Sequence, residues 1–319
     1  MGDELLNIRG LRTYYFTRVG TMRAVDGVDL HVRKGETVGL VGESGSGKST
    51  LGLSILRLVP PPGRIVGGEI LFDGRDLLGL NDKEMLEVRG RRISMIFQDP
   101  MASLNPLMRI GDHLIETIMA HERVTKQEAK ERALSLLDRV GILPERLNDY
   151  PHQFSGGMRQ RVMIAMALAL NPDLVIADEP VTALDVVIQA QIMDLMRKLK
   201  SLHNMALILI THDISVVAEV AERIAVMYAG QLIEDSHVIP LFEEPLHPYT
   251  EALLQAVPNV QLSDQVLRYI PGTPPDLAHL PSGCRFHPRC PYASDICRRQ
   301  EPPQVRVGQG RMVKCFRYV

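Results

Sequence analysis

The stretch from residue 42 to residue 50 carries the residue types and spacing that phosphate chemistry requires. Its sequence, GESGSGKST, contains the pattern G-x-x-x-x-G-K-S of a phosphate-binding loop. Glycines let the backbone close around an anion, because a Cβ there would collide or forbid the torsions. Lys48 would reach the β- and γ-phosphates, and the Ser49 hydroxyl would ligate Mg²⁺. The residues expected to bind nucleotide are Gly42, Ser44, Gly45, Ser46, Gly47, Lys48, Ser49 and Thr50.

The elements on both sides of this loop suit its task. Residues 37–41 form a short apolar, β-branched run that predicts a buried strand, and residues 50–59 have apolar positions at helical spacing. Three prolines from position 60 end that helix. Strand, glycine loop and helix together aim backbone N–H groups and the positive end of a helix dipole at a phosphate.

Two carboxylates follow a second buried strand. Residues 174–177 are apolar, and Asp178 and Glu179 come directly after them. In α/β sheets the carboxyl ends of strands face the ligand. We therefore expect Asp178 to bind Mg²⁺, directly or through its hydration shell. Glu179 points the opposite way along the strand, so we expect it to polarise the water that attacks the γ-phosphate.

Two further polar side chains end neighbouring apolar strands. His212 follows residues 206–210 and could donate to the γ-phosphate. Gln98 follows residues 93–97 and could touch Mg²⁺ or the attacking water. We include Glu179, His212 and Gln98 among the candidate catalytic residues.

A second anion site is indicated by Ser155, Gly156 and Gly157. Ser155 is a good helix N-cap, and the two glycines expose the first N–H groups of a long buried helix. One nucleotide has no evident use for two such sites in a monomer. If residues 155–157 of one subunit close on the γ-phosphate held by Lys48 of another, ATP joins the two subunits.

Taken together, these motifs resemble the ATP-binding subunits of ABC transporters, and most closely those of bacterial dipeptide and oligopeptide importers. Their order and spacing match that family, including the sequence ALD at residues 183–185. The closer match is carried by residues 97–101 (FQDPM), 103–106 (SLNP), 150–153 (YPHQ) and 247–250 (HPYT).

The resemblance implies an α/β fold of the P-loop NTPase class, with an ABC-type RecA-like core. It also implies an antiparallel β-subdomain, a helical subdomain and a small cysteine-containing C-terminal extension. We expect the nucleotide-binding domain at residues 1–245, its helical subdomain at about 99–158, and the extension at 246–319.

The same resemblance implies an ATPase that powers uptake of dipeptides and oligopeptides. Tyr15 falls where the family stacks an aromatic ring on adenine, and Asp185 lies in the loop that crosses the dimer interface. The expected partners are a second ABC ATPase subunit (a paralogue), two transmembrane permease subunits and an extracytoplasmic peptide-binding protein. No nucleic acid is expected.

The four cysteines lie together near the C-terminus with the spacing C-x5-C-x6-C-x17-C. In a reducing compartment, four thiols in a proline-rich tail favour a metal site over disulfides. The absence of close C-x2-C pairs favours iron–sulfur over zinc, although the spacing leaves both open. The resemblance favours a 4Fe-4S cluster bound by Cys284, Cys290, Cys297 and Cys315.

Composition limits the location and the alternatives. A net charge of -2 gives no field that draws the whole chain to nucleic acid, and the apolar runs are too short to span a bilayer. Acids near the N-terminus argue against a secretory signal, so we expect a peripheral protein at the cytoplasmic face of the membrane. The alternatives are an importer ATPase for nickel or glutathione and a soluble DNA-repair ATPase. The latter usually has a long insertion between the positions of Lys48 and Ser155, and this chain has none.

Overall fold

The computed structural model describes residues 4–256, 270–308 and 310–319 of the chain. The described residues up to Gly79 and from Leu209 onward form one compact unit, and Leu80–Ile208 form a second. Within the described ranges, no helix combines the length and the hydropathy needed to cross a bilayer.

The strands are mostly short, buried apolar runs, and the two longest form a hairpin near the N-terminus. In chain order they are β1 (Glu4–Thr17), β2 (Gly20–Arg33), β3 (Thr37–Val41), β4 (Gly63–Phe72), β5 (Arg75–Asp76), β6 (Ile93–Ile96), β7 (Leu174–Asp178), β8 (Ala206–Thr211), β9 (Arg223–Tyr228), β10 (Gln231–His237), β11 (Val305–Arg306) and β12 (Met312–Val313).

Several helices begin at a side-chain cap that satisfies an otherwise unpaired N–H group. Asn81 and Thr125 each form a capping box with a glutamate three residues later. The helices are α1 (Lys48–Ile55), α2 (Asp82–Val88), α3 (Pro100–Ser103), α4 (Ile110–His121), α5 (Lys126–Arg139), α6 (Gly156–Ala167), α7 (Val186–His203), α8 (Ile214–Ala218), α9 (Val238–Glu243), α10 (Pro248–Gln255) and α11 (Asp295–Arg299).

The first unit contains the antiparallel sheet that the family resemblance implies, with strand order β2-β1-β4-β5. Tyr15 on the central strand β1 lies opposite Met22 on β2 and Gly63 on β4. Leu6, Ile8 and Leu11 of β1 are buried. The expected antiparallel β-subdomain is therefore confirmed, and it places Tyr15 between two partner strands.

Parallel pairing is present in both units. In the first unit β3 pairs with β9 in parallel, and β9 pairs with β10 antiparallel. In the second unit β6 pairs with β7 in parallel. Every residue of β3, β6 and β7 is buried. Continuous apolar runs are typical of parallel strands covered on both faces, which is the α/β class that the sequence predicts.

The C-terminal extension shares a core with the first unit. Tyr228 on β9 packs against Tyr249 and Phe286, with ring centroids 4.6 and 5.2 Å away. All three rings are fully buried. At the other end of the extension, β12 pairs with β10 and so adds to the sheet of this unit. The extension is thus built onto the unit that carries the glycine loop.

Candidate functional site

The glycine loop lies between β3 and α1, as the sequence predicts. Gly42, Gly45 and Gly47 all have positive φ angles. A Cβ on Gly42 would lie 2.1 Å from the carbonyl oxygen of Met227, and one on Gly47 would lie 1.9 Å from that of Ala24. No side chain fits at either position, so glycine is required for the backbone to turn here.

Lys48 is buried inside this loop. Its Nζ donates to the carbonyl oxygens of Gly42 (2.7 Å) and Glu43 (3.0 Å). The Ser46 hydroxyl is also buried, and it has no hydrogen-bond partner among the described residues. A buried cation beside an unsatisfied hydroxyl, at the N-terminus of α1, fits the phosphates of a nucleotide.

Tyr15 lies beside the first turn of α1. Its hydroxyl is 3.5 Å from the Thr50 hydroxyl, and its ring closely approaches Gly63. The neighbouring Phe16 is more exposed, with the Arg64 guanidinium 4.8 Å above its ring. Tyr15 is thus an aromatic residue next to the phosphate loop, and its stacking on adenine remains a prediction.

His212 is exposed and directly follows β8. The next residue, Asp213, caps α8 by accepting a hydrogen bond from the Ser215 amide at 2.9 Å. His212 therefore lies in a tight strand-to-helix connection of the first unit. A role as γ-phosphate donor remains a prediction.

In the second unit, Glu179 and Gln98 lie in contact. The Gln98 side-chain amide donates to the Glu179 carboxylate at 3.2 Å, and the Thr182 hydroxyl donates to the same oxygen at 2.8 Å. Glu179 is buried and has a φ of 47°, which is unusual for a residue with a side chain. Asp178, one residue earlier, is the buried last residue of β7. Thr182 was not predicted, because its only signal in the sequence is a hydroxyl three residues after the carboxylate.

Ser155 caps α6, as predicted, by accepting a hydrogen bond from the Met158 amide at 3.4 Å. Asp185 caps α7 in the same way, with the Ile188 amide at 3.0 Å. A Cβ built on Gly157 would lie 2.6 Å from Cγ2 of Ile188. Two segments predicted to face a second subunit are therefore direct neighbours within the second unit.

The prediction of an iron–sulfur cluster is wrong. The four cysteines are free thiols that line one cavity of about 160 Å³. Yet nowhere in residues 4–256, 270–308 and 310–319 are three His, Cys, Asp or Glu residues arranged to hold a metal ion. Burial raises the pKa of the Cys284 thiol to about 11 and raises the pKa of Cys290 and Cys315. In the metal-free chain, burial therefore favours the neutral thiol, whereas the form that binds metal is the thiolate.

Comparison with known proteins places these features in one family. The profile described as ABC transporter matches residues 25–182, and the profile described as oligopeptide/dipeptide transporter, C-terminal region, matches residues 233–297. The oligopeptide transport ATP-binding protein OppD of Bacillus subtilis is 52% identical, over 98% of this chain and 88% of its own. The dipeptide transport ATP-binding protein DppD of Escherichia coli is 48% identical, over 98% of this chain and 96% of its own.

Solved structures agree with this assignment. An ATP-binding cassette solved as a dimer in a post-hydrolysis state, bound to ADP and Pi, has a TM-score of 0.67 and 31% identity. The similarity covers 73% of this chain and 98% of that cassette. The expected ABC-type P-loop fold is thereby confirmed, and ATP with Mg²⁺ is the cofactor that fits it. The Ser49 hydroxyl and the Asp178 carboxylate, each in its own unit, are oxygen donors of the kind that Mg²⁺ prefers. The chain belongs to the family of ATP-binding subunits of oligopeptide and dipeptide ABC transporters.

Proposed function

We propose that this chain is the ATP-hydrolysing subunit that powers uptake of dipeptides and oligopeptides through an ABC importer. The observation that carries the proposal is the presence of both matching regions on one chain: a cassette and a peptide-transporter C-terminal region. The relatives that match nearly the whole chain are transport ATP-binding proteins for oligopeptides or dipeptides. This favours peptides over nickel or glutathione as cargo.

The proposed complex contains four proteins besides this chain. Its partners are a second ABC ATPase subunit (a paralogue), two transmembrane permease subunits and an extracytoplasmic peptide-binding protein. The chain acts peripherally at the cytoplasmic face of the membrane. We assign nucleotide binding to residues 1–245, with a helical subdomain at about 99–158, and assign residues 246–319 to the extension.

In the proposed reaction, Glu179 acts as the general base. A water oxygen forms a bond to the γ-phosphorus while its proton passes to the Glu179 carboxylate, and the bond to the β–γ bridging oxygen breaks. The two donors from Gln98 and Thr182 hold that carboxylate in one orientation. Lys48 neutralises charge on the phosphates, and His212 senses the γ-phosphate. Bound Mg²⁺ supplies further charge neutralisation on the phosphate oxygens.

A reconstituted complex in vesicles tests this function. Replacing Glu179 with Gln should abolish peptide-stimulated ATP hydrolysis and peptide uptake, by at least about a hundredfold, because the amide cannot accept the proton. ATP binding should persist, since the amide is nearly isosteric with the carboxylate. The matched control is Glu87→Gln, which removes an exposed carboxylate from the same unit and should behave like wild type.

Two results would contradict the proposal. Unaltered hydrolysis in the Glu179→Gln variant would remove this residue from the role of base. If a wild-type complex hydrolyses ATP but transports no peptide, the assignment as an ATPase stands and the assignment of peptides as its cargo is refuted.

A further inference from the structure

Glu43, inside the glycine loop, is held by side chains of the C-terminal extension. Arg289 donates two parallel hydrogen bonds to its carboxylate, at 2.7 and 3.0 Å. The backbone amide of Glu43 donates to the Tyr249 hydroxyl at 2.8 Å. Glu43 is 246 positions from Arg289 and 206 from Tyr249. The extension therefore reaches directly into the loop that binds phosphate.

Arg289 is itself firmly positioned. Its Nε donates to the Pro271 carbonyl at 2.8 Å, and its other groups also reach the Tyr228 hydroxyl and the Ile270 carbonyl. With the two bonds to Glu43, every N–H group of the guanidinium has an acceptor. Burial opposes the charge, but Glu43 and Tyr228 outweigh it and raise the pKa of Arg289. Arg289 is thus a fixed, permanently charged donor.

The backbone of Glu43 passes this constraint to the phosphate-binding groups. Its carbonyl oxygen accepts from Lys48 Nζ at 3.0 Å and from the Ser46 amide at 3.2 Å. Arg289 and Tyr249 hold one side of Glu43, while the lysine and an amide of the loop bond to the other side. Two hydrogen bonds therefore connect Arg289 to Lys48, which is expected to bind ATP. One joins Arg289 to the Glu43 carboxylate, and the other joins the Glu43 carbonyl oxygen to Lys48 Nζ.

We propose that Arg289 is a positioning residue of the nucleotide site, which makes the C-terminal extension part of the ATP-binding machinery. This inference rests on the proposed role of the glycine loop in binding ATP. Arg289 acts in two ways. It fixes the backbone of Glu43, and it cancels a carboxylate charge that would otherwise repel the incoming phosphates.

The prediction is a loss of ATP affinity in Arg289→Ala that depends on Glu43. The variant leaves an unpaired carboxylate in the phosphate loop, and we expect the Kd for ATP to rise by about tenfold or more. Glu43→Gln in the same chain removes the repelling charge and should restore most of that loss. A residue that only supports folding would not be rescued by this second change.

Equilibrium binding of a fluorescent ATP analogue to the full chain, with melting temperatures measured in parallel, tests the inference. Lys314→Ala is the matched control, because it breaks an ion pair with Glu301 in the same extension without touching the loop. Arg289→Lys keeps the charge and loses the paired geometry, so its Kd for ATP should rise above that of wild type, by less than in Arg289→Ala. This variant tests the inference even if Arg289→Ala fails to fold.

Three outcomes overturn the inference. Wild-type affinity in Arg289→Ala or in Arg289→Lys removes the positioning role. A double variant as weak as Arg289→Ala reduces Arg289 to a structural residue. A wild-type chain that binds no ATP would refute the proposed function itself, and the inference with it.

Discussion

At the scale of a single residue, burial fixes the protonation state of His247. This side chain is only 2% exposed, and its Nδ1 accepts a hydrogen bond from the Tyr249 amide at 3.0 Å. It thereby caps α10, and only the neutral ring can accept at that nitrogen. Burial lowers the pKa of His247 from 6.5 to about 3. The residue that starts α10 is thus neutral under all mild conditions.

This predicts a loss of stability in acid that depends on one residue. Below pH 6.5 the unfolded chain binds a proton at His247, while the folded chain binds none until about pH 3. The stabilising effect is complete above pH 6.5 and is lost as the pH falls. Between pH 7 and pH 5 the free energy of unfolding should drop by about 2 kcal/mol through this group. His247→Asn keeps a capping acceptor that does not titrate, so it should lose about 2 kcal/mol less than wild type.

Urea unfolding at pH 7 and pH 5 measures this difference. His279→Asn, at a largely exposed histidine, is the control and should follow wild type. An equal drop in wild type and His247→Asn would show that His247 titrates normally in the folded chain.

Residues with a local function could be predicted, and residues with a distant partner could not. The glycines at 42 and 47 are dictated by a backbone that admits no Cβ, so their spacing is visible in the sequence. Ser155 caps its own helix and is equally local. Arg289 meets Glu43 only because the chain folds back over 246 positions, and no local pattern encodes that pairing. The prediction from the cysteine spacing is wrong because spacing carries no information on burial.

At the scale of elements, the close contact between the first turns of α6 and α7 restricts the size of the side chain at position 157. Gly157 is in the first turn of α6, and its missing Cβ is the space that Ile188 Cγ2 occupies. The β-branched methyl group cannot move away by rotating a long side chain. Glycine at position 157 therefore serves packing between the helices, in addition to any role in exposing N–H groups.

The expected result of Gly157→Ala is a destabilised second unit. The added methyl group overpacks the contact and should lower the free energy of unfolding by about 1–3 kcal/mol. Removing the opposing methyl group with Ile188→Ala should make the same substitution nearly neutral or favourable, since alanine is the better helix former. The double-mutant cycle from chemical denaturation gives the coupling energy.

Gly156→Ala is the matched control for this cycle. A Cβ at Gly156 would lie 3.3 Å from Cδ2 of Leu184, the far end of a flexible side chain, so its cost should be smaller. If Gly157→Ala costs the same with and without Ile188, the two helices do not share this contact.

Element types could be predicted where the pattern is strong, and their bounds only approximately. The apolar runs before the glycine loop and before Asp178 are β3 and β7. Residues 99–158, expected to form a helical subdomain, are divided among several helices, and Thr125 caps the start of one of them. The extension was expected to be a small, proline-rich segment with a metal site. Its packing depends on Tyr228 from β9, which no pattern within the extension reveals.

At the scale of the whole molecule, the expected nucleotide chemistry is divided between the two units. The glycine loop with Lys48 belongs to the first unit, whereas Gln98, Glu179 and Ser155 belong to the second. Two helix N-termini that can bind anions, at α1 and α6, are more than one nucleotide requires. A dimer in which each ATP lies between Lys48 of one subunit and Ser155 of the other uses both. The related cassette bound to ADP and Pi was likewise solved as a dimer.

This arrangement predicts which subunit loses nucleotide when each residue is changed. In the purified complex with its paralogous partner, Lys48→Ala should weaken ATP binding at the loop of this chain. Ser155→Ala should instead weaken binding at the loop of the partner, because Ser155 would contact the γ-phosphate held there. Photocrosslinking of an azido-ATP to each subunit separates the two losses. The double variant should lose label on both subunits, by additive amounts, since the two residues serve different sites. If Ser155→Ala reduced the label on its own chain, or if the double variant lost no more than Lys48→Ala alone, both residues would serve one nucleotide and the shared-ATP dimer would be refuted.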